Sequence, residues 1–150
     1  MKTESPLIKV HMIIEIMGTP ENHVNETLAL IGEKFGKDVD EIKVQDIKVR
    51  EAQKIKVEGG DNFYSGFLEI DAHFEHLYAL VGAVFDWMPS SVEIYEPDLI
   101  ALKSTDANNI VNDLIGRLHQ LDASLKTDRA RISILTRELK KYKEVKPGEA

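Results

Sequence analysis

The chain has 150 residues, 43% of them hydrophobic and 30% charged, with 26 acidic against 19 basic side chains, a formal charge of −7 and no cysteine. One domain of this length buries enough surface to hold a core without disulfides, and the lack of thiols excludes a disulfide scaffold, a cysteine nucleophile, a redox couple and a thiolate zinc site. The charge argues against a general nucleic-acid binder, but it is unevenly spread: residues 126–150 hold eight basic and four acidic side chains, which leaves −11 on the 125 residues before them.

Met1 to Pro6 is polar, and the apolar run Val10 to Met17 carries His11 and Glu15 without a basic start or a small-residue cleavage site. No targeting signal is expected. A membrane-spanning helix needs about 20 predominantly apolar residues, and no window offers them, so the expected location is cytoplasmic with no membrane contact. Ile8, Val10, Met12, Ile14 and Ile16 alternate with Lys9, His11, Ile13 and Glu15, the period of a strand ending at Gly18. Thr19 as N-cap, Pro20 at the first helical position and Glu21 as an early acid then predict a helix from about residue 20 to Phe35. Val24, Leu28, Ile31 and Phe35 line one face of it, and Gly36 closes it.

Ile42 to Val57 alternates β-branched residues with lysines and reads as a strand in which Ile47, Val49, Ile55 and Val57 share a parity. Gly59 to Asn62 supplies a turn, and Phe63 to Ala72 a returning strand. Phe74, Leu77, Tyr78, Val81, Val84 and Phe85 recur at helical spacing up to Pro89, with Trp87 and Met88 expected to close the bottom of the core. Ser91 to Glu96 is a last strand, ended by Pro97. The order predicts an α+β fold: a ferredoxin-like βαββαβ (split βαβ) domain over residues 1–97, with an antiparallel four-stranded sheet and both helices on one face.

Residues 98–104 read as a linker, 105–145 as a helical segment and 146–150 as a disordered tail. Ser104 or Thr105 is the expected cap. Ala107, Val111, Leu114, Leu118, Leu121, Leu125, Asp128, Ile132, Leu135, Leu139 and Tyr142 step by four and three alternately, which is a heptad. A polar turn at Lys126-Thr127-Asp128 would make a hairpin of two helices. One continuous helix is favoured, because the register crosses Asp128 unshifted and no Gly or Pro marks a break. At 1.5 Å per residue such a helix is ~60 Å long, more than the body can cover. Flanking Ile110 and Ile115 make the first half resemble core packing, whereas Arg129, Arg131, Glu138 and Lys143 make the second resemble a solvated two-helix contact.

Parity places Met12, Ile14, Ile16, Leu68, Ile70, Val92 and Ile94 under the helices. The opposite face then shows His11, Ile13, Glu15, Lys48, Arg50, Lys54, Lys56, Phe63, Phe67, Glu69, Glu93 and Tyr95. Ile13, Phe63, Phe67 and Tyr95 are apolar enough to need a cover, either the last helix or another copy, or to form a binding surface. Tyr64-Ser65-Gly66-Phe67-Leu68-Glu69-Ile70 resembles part of the octapeptide of the RNA-recognition motif around Gly66 and Phe67, which implies base stacking on the sheet. It departs at Ser65 and Ile70, where aromatic stackers are expected, and at Phe63, where a basic residue is expected. Ile14 to Pro20 resembles the opening of ACT-type regulatory modules, which bind amino acids near a glycine in the first strand-to-helix turn; the resemblance implies a ligand turn at Gly18 and Thr19, against the plainer reading of Gly18 as a turn glycine with positive φ.

Asp71, His73, Glu75 and His76 are the densest group of possible metal ligands, but Asp71 also fits a helix cap and Glu75 a first-turn acid. His119 and Asp122 fit a solvated pair. Ser90 and Ser91 have no nucleophile elbow around them. No catalytic residue, metal or cofactor is therefore expected. The leading expectation is a non-enzymatic assembly module forming a homodimer or other homo-oligomer through Val111, Leu114, Leu118, Leu121, Leu125, Ile132, Leu135, Leu139 and Tyr142, with an unidentified protein as a further partner. The alternatives are a small-ligand sensor and a protein that contacts nucleic acid through the basic tail.

Overall fold

The structure, a computed structural model, describes residues 6–58 and 60–144; the tail expected at 146–150 and Gly59 of the expected turn lie outside them. The chain divides into two units, Met1–Leu102 and Lys103–Ala150.

The first unit runs β1 (Ile8–Gly18), α1 (Glu21–Lys34), β2 (Ile42–Val57), β3 (Gly60–Phe74), α2 (Leu77–Trp87) and β4 (Ser91–Glu96). Its sheet is antiparallel in the order β2-β3-β1-β4, so the first and third strands lie in the centre, as the split βαβ arrangement requires. The core follows the parity of β1 and β3: Val10, Met12, Ile14, Leu68, Ile70, Ala72 and Phe74 are buried beneath Val24 and Leu28 of α1 and Ala79, Leu80 and Ala83 of α2. Fully burying each of the larger side chains is worth about 1.5–3 kcal/mol. Phe35, just past α1, meets Trp87 at 5.5 Å between ring centroids and ties the ends of the two helices together.

Several local expectations are corrected. Phe74 belongs to β3, not to the second helix; it pairs with both Ile8 and Ile42 and is fully buried. Pro20 is the N-cap of α1 and no side chain caps it, so Thr19 does not serve as the cap. Gly18 lies within β1 without a positive φ. Met88 takes a left-handed conformation past α2 and is exposed, leaving Trp87 to close the core. Val92 and Ile94 sit beside Met12 and Val10 on the helix-bearing face, yet both are exposed.

The shared parity along β2 fails because the strand is irregular at three places. Two steps of β2, Val44 to Asp46, oppose one step of β3; three steps, Arg50 to Gln53, oppose two; and near Val57 the pairing shifts again. Ile47 and Val49 thus face Ile70 and Leu68 on the helix side, while Ile55 crosses to the open face opposite Phe63. Lys54 moves the other way, opposite Tyr64.

The second bulge has a visible cause. A Cβ on Gly66 would lie 2.6 Å from Leu28 Cδ1 and 2.9 Å from the Arg50 carbonyl oxygen, so the bulged backbone of β2 presses against a strand that must have no side chain there. The Ala52 N–H released from the ladder donates to Asn25 Oδ1 of α1 at 2.8 Å. Gly36, at φ +67, makes the turn after α1.

The second unit is α3 (Ser104–Glu144), 41 residues in one continuous helix. No hairpin forms at Lys126-Thr127-Asp128. Ser104 and Thr105 lie inside the helix, and the first N–H groups, of Asp106 and Ala107, donate to the Lys103 carbonyl at 3.0 Å each. Thr127 and Thr136 return their hydroxyls to the carbonyls of Ala123 and Ile132, which keeps these polar residues compatible with the helix. Asp106 near the start, and Lys141 and Lys143 in the last turn, complement the helix dipole.

Candidate functional site

Three places were marked by the sequence: the turn after β1, the open face of the sheet, and the heptad of α3. At the first, Thr19, Pro20, Glu21 and Asn22 line an open groove of ≈ 410 Å³ with Asn62 and Tyr64 from β3. Thr19 thus lines a concavity, whereas Gly18 does not line it. The backbone at the start of α1 is already engaged, with His23 and Val24 N–H donating to the Pro20 carbonyl at 3.1 and 3.3 Å.

On the open face the register sets the neighbours. Arg50, Phe67 and Glu15 form one row across β2, β3 and β1; Lys48, Glu69, Ile13 and Ser91 form the next; Asp46, Asp71, His11 and Glu93 follow. Charged and hydroxyl groups are paired within this face. Ser65 Oγ donates to Glu15 at 2.5 Å, Arg50 Nε to Glu69 at 3.3 Å, and His11 Nδ1 meets Asp71 Oδ1 at 2.9 Å. Ile13, Phe63 and Phe67 are half-buried among these pairs, and Tyr95 is the residue left over where the β1–β4 register shifts between Lys9 and Val10. A base stacker needs an exposed ring in the middle of the sheet. Here Ser65 is tied to a carboxylate, and Ile70 is buried on the other face, under the helices. The likeness of residues 64–70 to the RNA-binding octapeptide therefore has a packing cause at Gly66, where the bulge requires glycine.

The expected histidine pair is dispersed. His73 lies in β3, and His76 is the N-cap of α2, accepting from Ala79 N–H at 3.2 Å through Nδ1 and meeting Glu41 Oε1 at 3.1 Å through Nε2. One neutral tautomer, with the proton on Nε2, satisfies both contacts. Asp71 is thus the partner of His11 and not a helix cap, and Glu75 pairs with Lys43 at 3.6 Å. Among the described residues no group of three or more His, Asp or Glu is placed to hold a metal ion, and no helix is long and apolar enough to cross a membrane.

On α3 the heptad positions form one stripe, interrupted at Asp128. Val111, Leu118, Leu121, Leu125, Ile132, Leu135, Leu139 and Tyr142 are 48 to 79% exposed, and Leu114 is half-buried. Ile115 and Ile134 are exposed beside them. The stripe runs along most of the length of α3. Its charged borders are organised within the helix: Arg117 pairs with Asp113 at 2.9 Å, Lys126 with Asp122 at 2.6 Å and Arg131 with Asp128 at 3.6 Å. Lys126 and Arg131 of the basic segment are therefore partly neutralised by acids on the same helix.

No curated protein and no solved structure matches the chain. Residues 9–146 do match one protein family, a span that takes in all of the sheet but Ile8 and the whole of α3. The chain belongs to the MJ0538 family.

Proposed function

We propose that this protein is a non-enzymatic, cytoplasmic assembly module that self-associates through α3. The single observation carrying this reading is the 41-residue helix whose heptad keeps its register across Asp128 and leaves Val111, Leu118, Leu121, Leu125, Ile132, Leu135, Leu139 and Tyr142 exposed. An isolated helix with such a stripe is stabilised by burying it, and the spacing of four and three is the spacing that lets a second helix insert its side chains between these. Light scattering tests the reading. The wild-type chain is expected at a multiple of 16.9 kDa, and Leu121→Glu together with Leu135→Glu should return it to the monomer mass. A wild-type monomer, or a doubly substituted chain of unchanged mass, would sink the idea.

A second reading, small-ligand sensing, is supported by the groove at Thr19, Pro20, Glu21 and Asn22. A thermal-shift screen with amino acids and nucleotides addresses it, and a ligand that raises the melting temperature of wild type but not of an Asn22→Leu variant is the expected positive result.

A further inference from the structure

Resting on the self-association reading above, we propose that the occupant of the α3 stripe is the α3 of a second copy running antiparallel to the first, centred between residues 126 and 127. Charge complementarity along a helix of fixed register favours this occupant. In heptad terms Val111, Leu118, Leu125, Ile132 and Leu139 are a positions, and Leu114, Leu121, Asp128, Leu135 and Tyr142 are d positions. The two halves of the helix differ in sign. Residues 104–124 carry three acids, Asp106, Asp113 and Asp122, against Arg117, while residues 125–144 carry seven basic side chains against Asp128, Glu138 and Glu144. A parallel pair lays the basic half on the basic half. An antiparallel pair lays it on the acidic half.

The flanking positions choose the register. With the centre between 126 and 127, Val111 meets Tyr142, Leu118 meets Leu135 and Leu121 meets Ile132, so every a and d residue from 111 to 142 has a counterpart. Arg117 then lies within ~3 Å, along the axis, of the second copy's Glu138, and Asp122 equally near its Arg129. Sliding by one heptad in one direction sets Arg117 against Arg131 and Asp122 against itself. Sliding in the other sets Arg129 and Arg131 each against themselves.

A parallel, in-register pair offers as many attractive contacts, Arg117 with Asp122 and Glu138 with Lys143, so these flanking pairs do not decide the orientation. Asp128 does, together with the halves. In the parallel pair the two Asp128 carboxylates share one layer of the seam, whereas the antiparallel pair sets each opposite Leu125 and separates them by a further ~4.5 Å along the axis.

Because the chain has no cysteine, a nitroxide can be placed at one position without competition. Ala123→Cys and Lys140→Cys put it on exposed positions outside the seam. In the antiparallel dimer the two labels at 123 are ~10 Å apart along the axis and those at 140 are ~40 Å apart; pulsed electron–electron distance measurement on the full-length protein should therefore give a short distance at 123 and a long one at 140. Short distances at both positions mean a parallel pair and overturn this proposal while leaving self-association standing. No intermolecular coupling at 123, from a monomer or from a dimer built on another surface, overturns self-association through α3 and the orientation with it.

Discussion

The Asn25 amide oxygen, carried on α1, takes the Ala52 N–H that β2 loses at the Arg50–Gln53 bulge. Removing the acceptor leaves the N–H of buried Ala52 desolvated and unpaired, so Asn25→Ala should destabilise the sheet unit by about 1–3 kcal/mol and Asn25→Asp much less, as read from denaturant midpoints. Gly66→Ala adds atoms where Leu28 and the Arg50 carbonyl already press, and a similar loss of about 1–3 kcal/mol is expected from overpacking. His76→Ala removes the cap of α2 and should cost ~1 kcal/mol, most of it restored by His76→Asn, which keeps an acceptor at the cap. At the sheet margin, the hydrogen bond and charge of Glu96 raise the Lys9 pKa above its ordinary value. A raised amine pKa stabilises the fold below the unfolded-state value and stops doing so as pH climbs through the folded-state value. The effect of Glu96→Gln on unfolding midpoints should therefore be constant across the neutral range and fade in strong alkali. None of these roles is legible in the residues themselves. Asn25 and Ala52, or Gly66 and Leu28, meet across the fold, and their chemistry depends on a bulge that neither segment announces.

The elements are more legible than the residues because each is set by a local pattern. Alternation marks β1 and β2, and helical spacing with a closing Gly36 marks α1. The end of β3 is misread for a definite reason: Phe74 fits the spacing of Leu77, Tyr78 and Val81, but the strand pairs it with Ile8 and Ile42 and buries it completely. The parity of β2 is misread because an extra residue in a strand reverses every side chain after it. For α3 the absence of Gly or Pro around Asp128 was sufficient to foresee one helix. Gly116 lies on its outer side, with nothing within 4 Å of an added Cβ. Gly116→Ala should therefore raise the stability of the helical segment by about 0.8–1 kcal/mol without changing the oligomer, visible as added helical ellipticity at higher temperature and an unaltered mass by light scattering.

For the molecule as a whole, the division at residue 102 leaves all four strands and both covering helices in the first unit. A chain ending at Leu102 should therefore fold cooperatively and stay monomeric, since the heptad has gone; a fragment that aggregates or fails to fold would show that the sheet unit depends on α3. Composition alone describes an acidic thiol-free chain. Position along the chain separates an acidic body from a basic helical tail, and polar pairs surround the few apolar residues of the open sheet face. The irregular strand β2 has one more consequence. It is an outer strand, and its four lysines, Lys43, Lys48, Lys54 and Lys56, accompany three breaks in register. At the other margin β4 is six residues long, carries Glu93 and Glu96, has a register shift against β1 and is followed at once by Pro97. Neither margin offers the long, flat, uncharged ladder that recruits another strand. A chain built this way resists growing by sheet extension into fibrils.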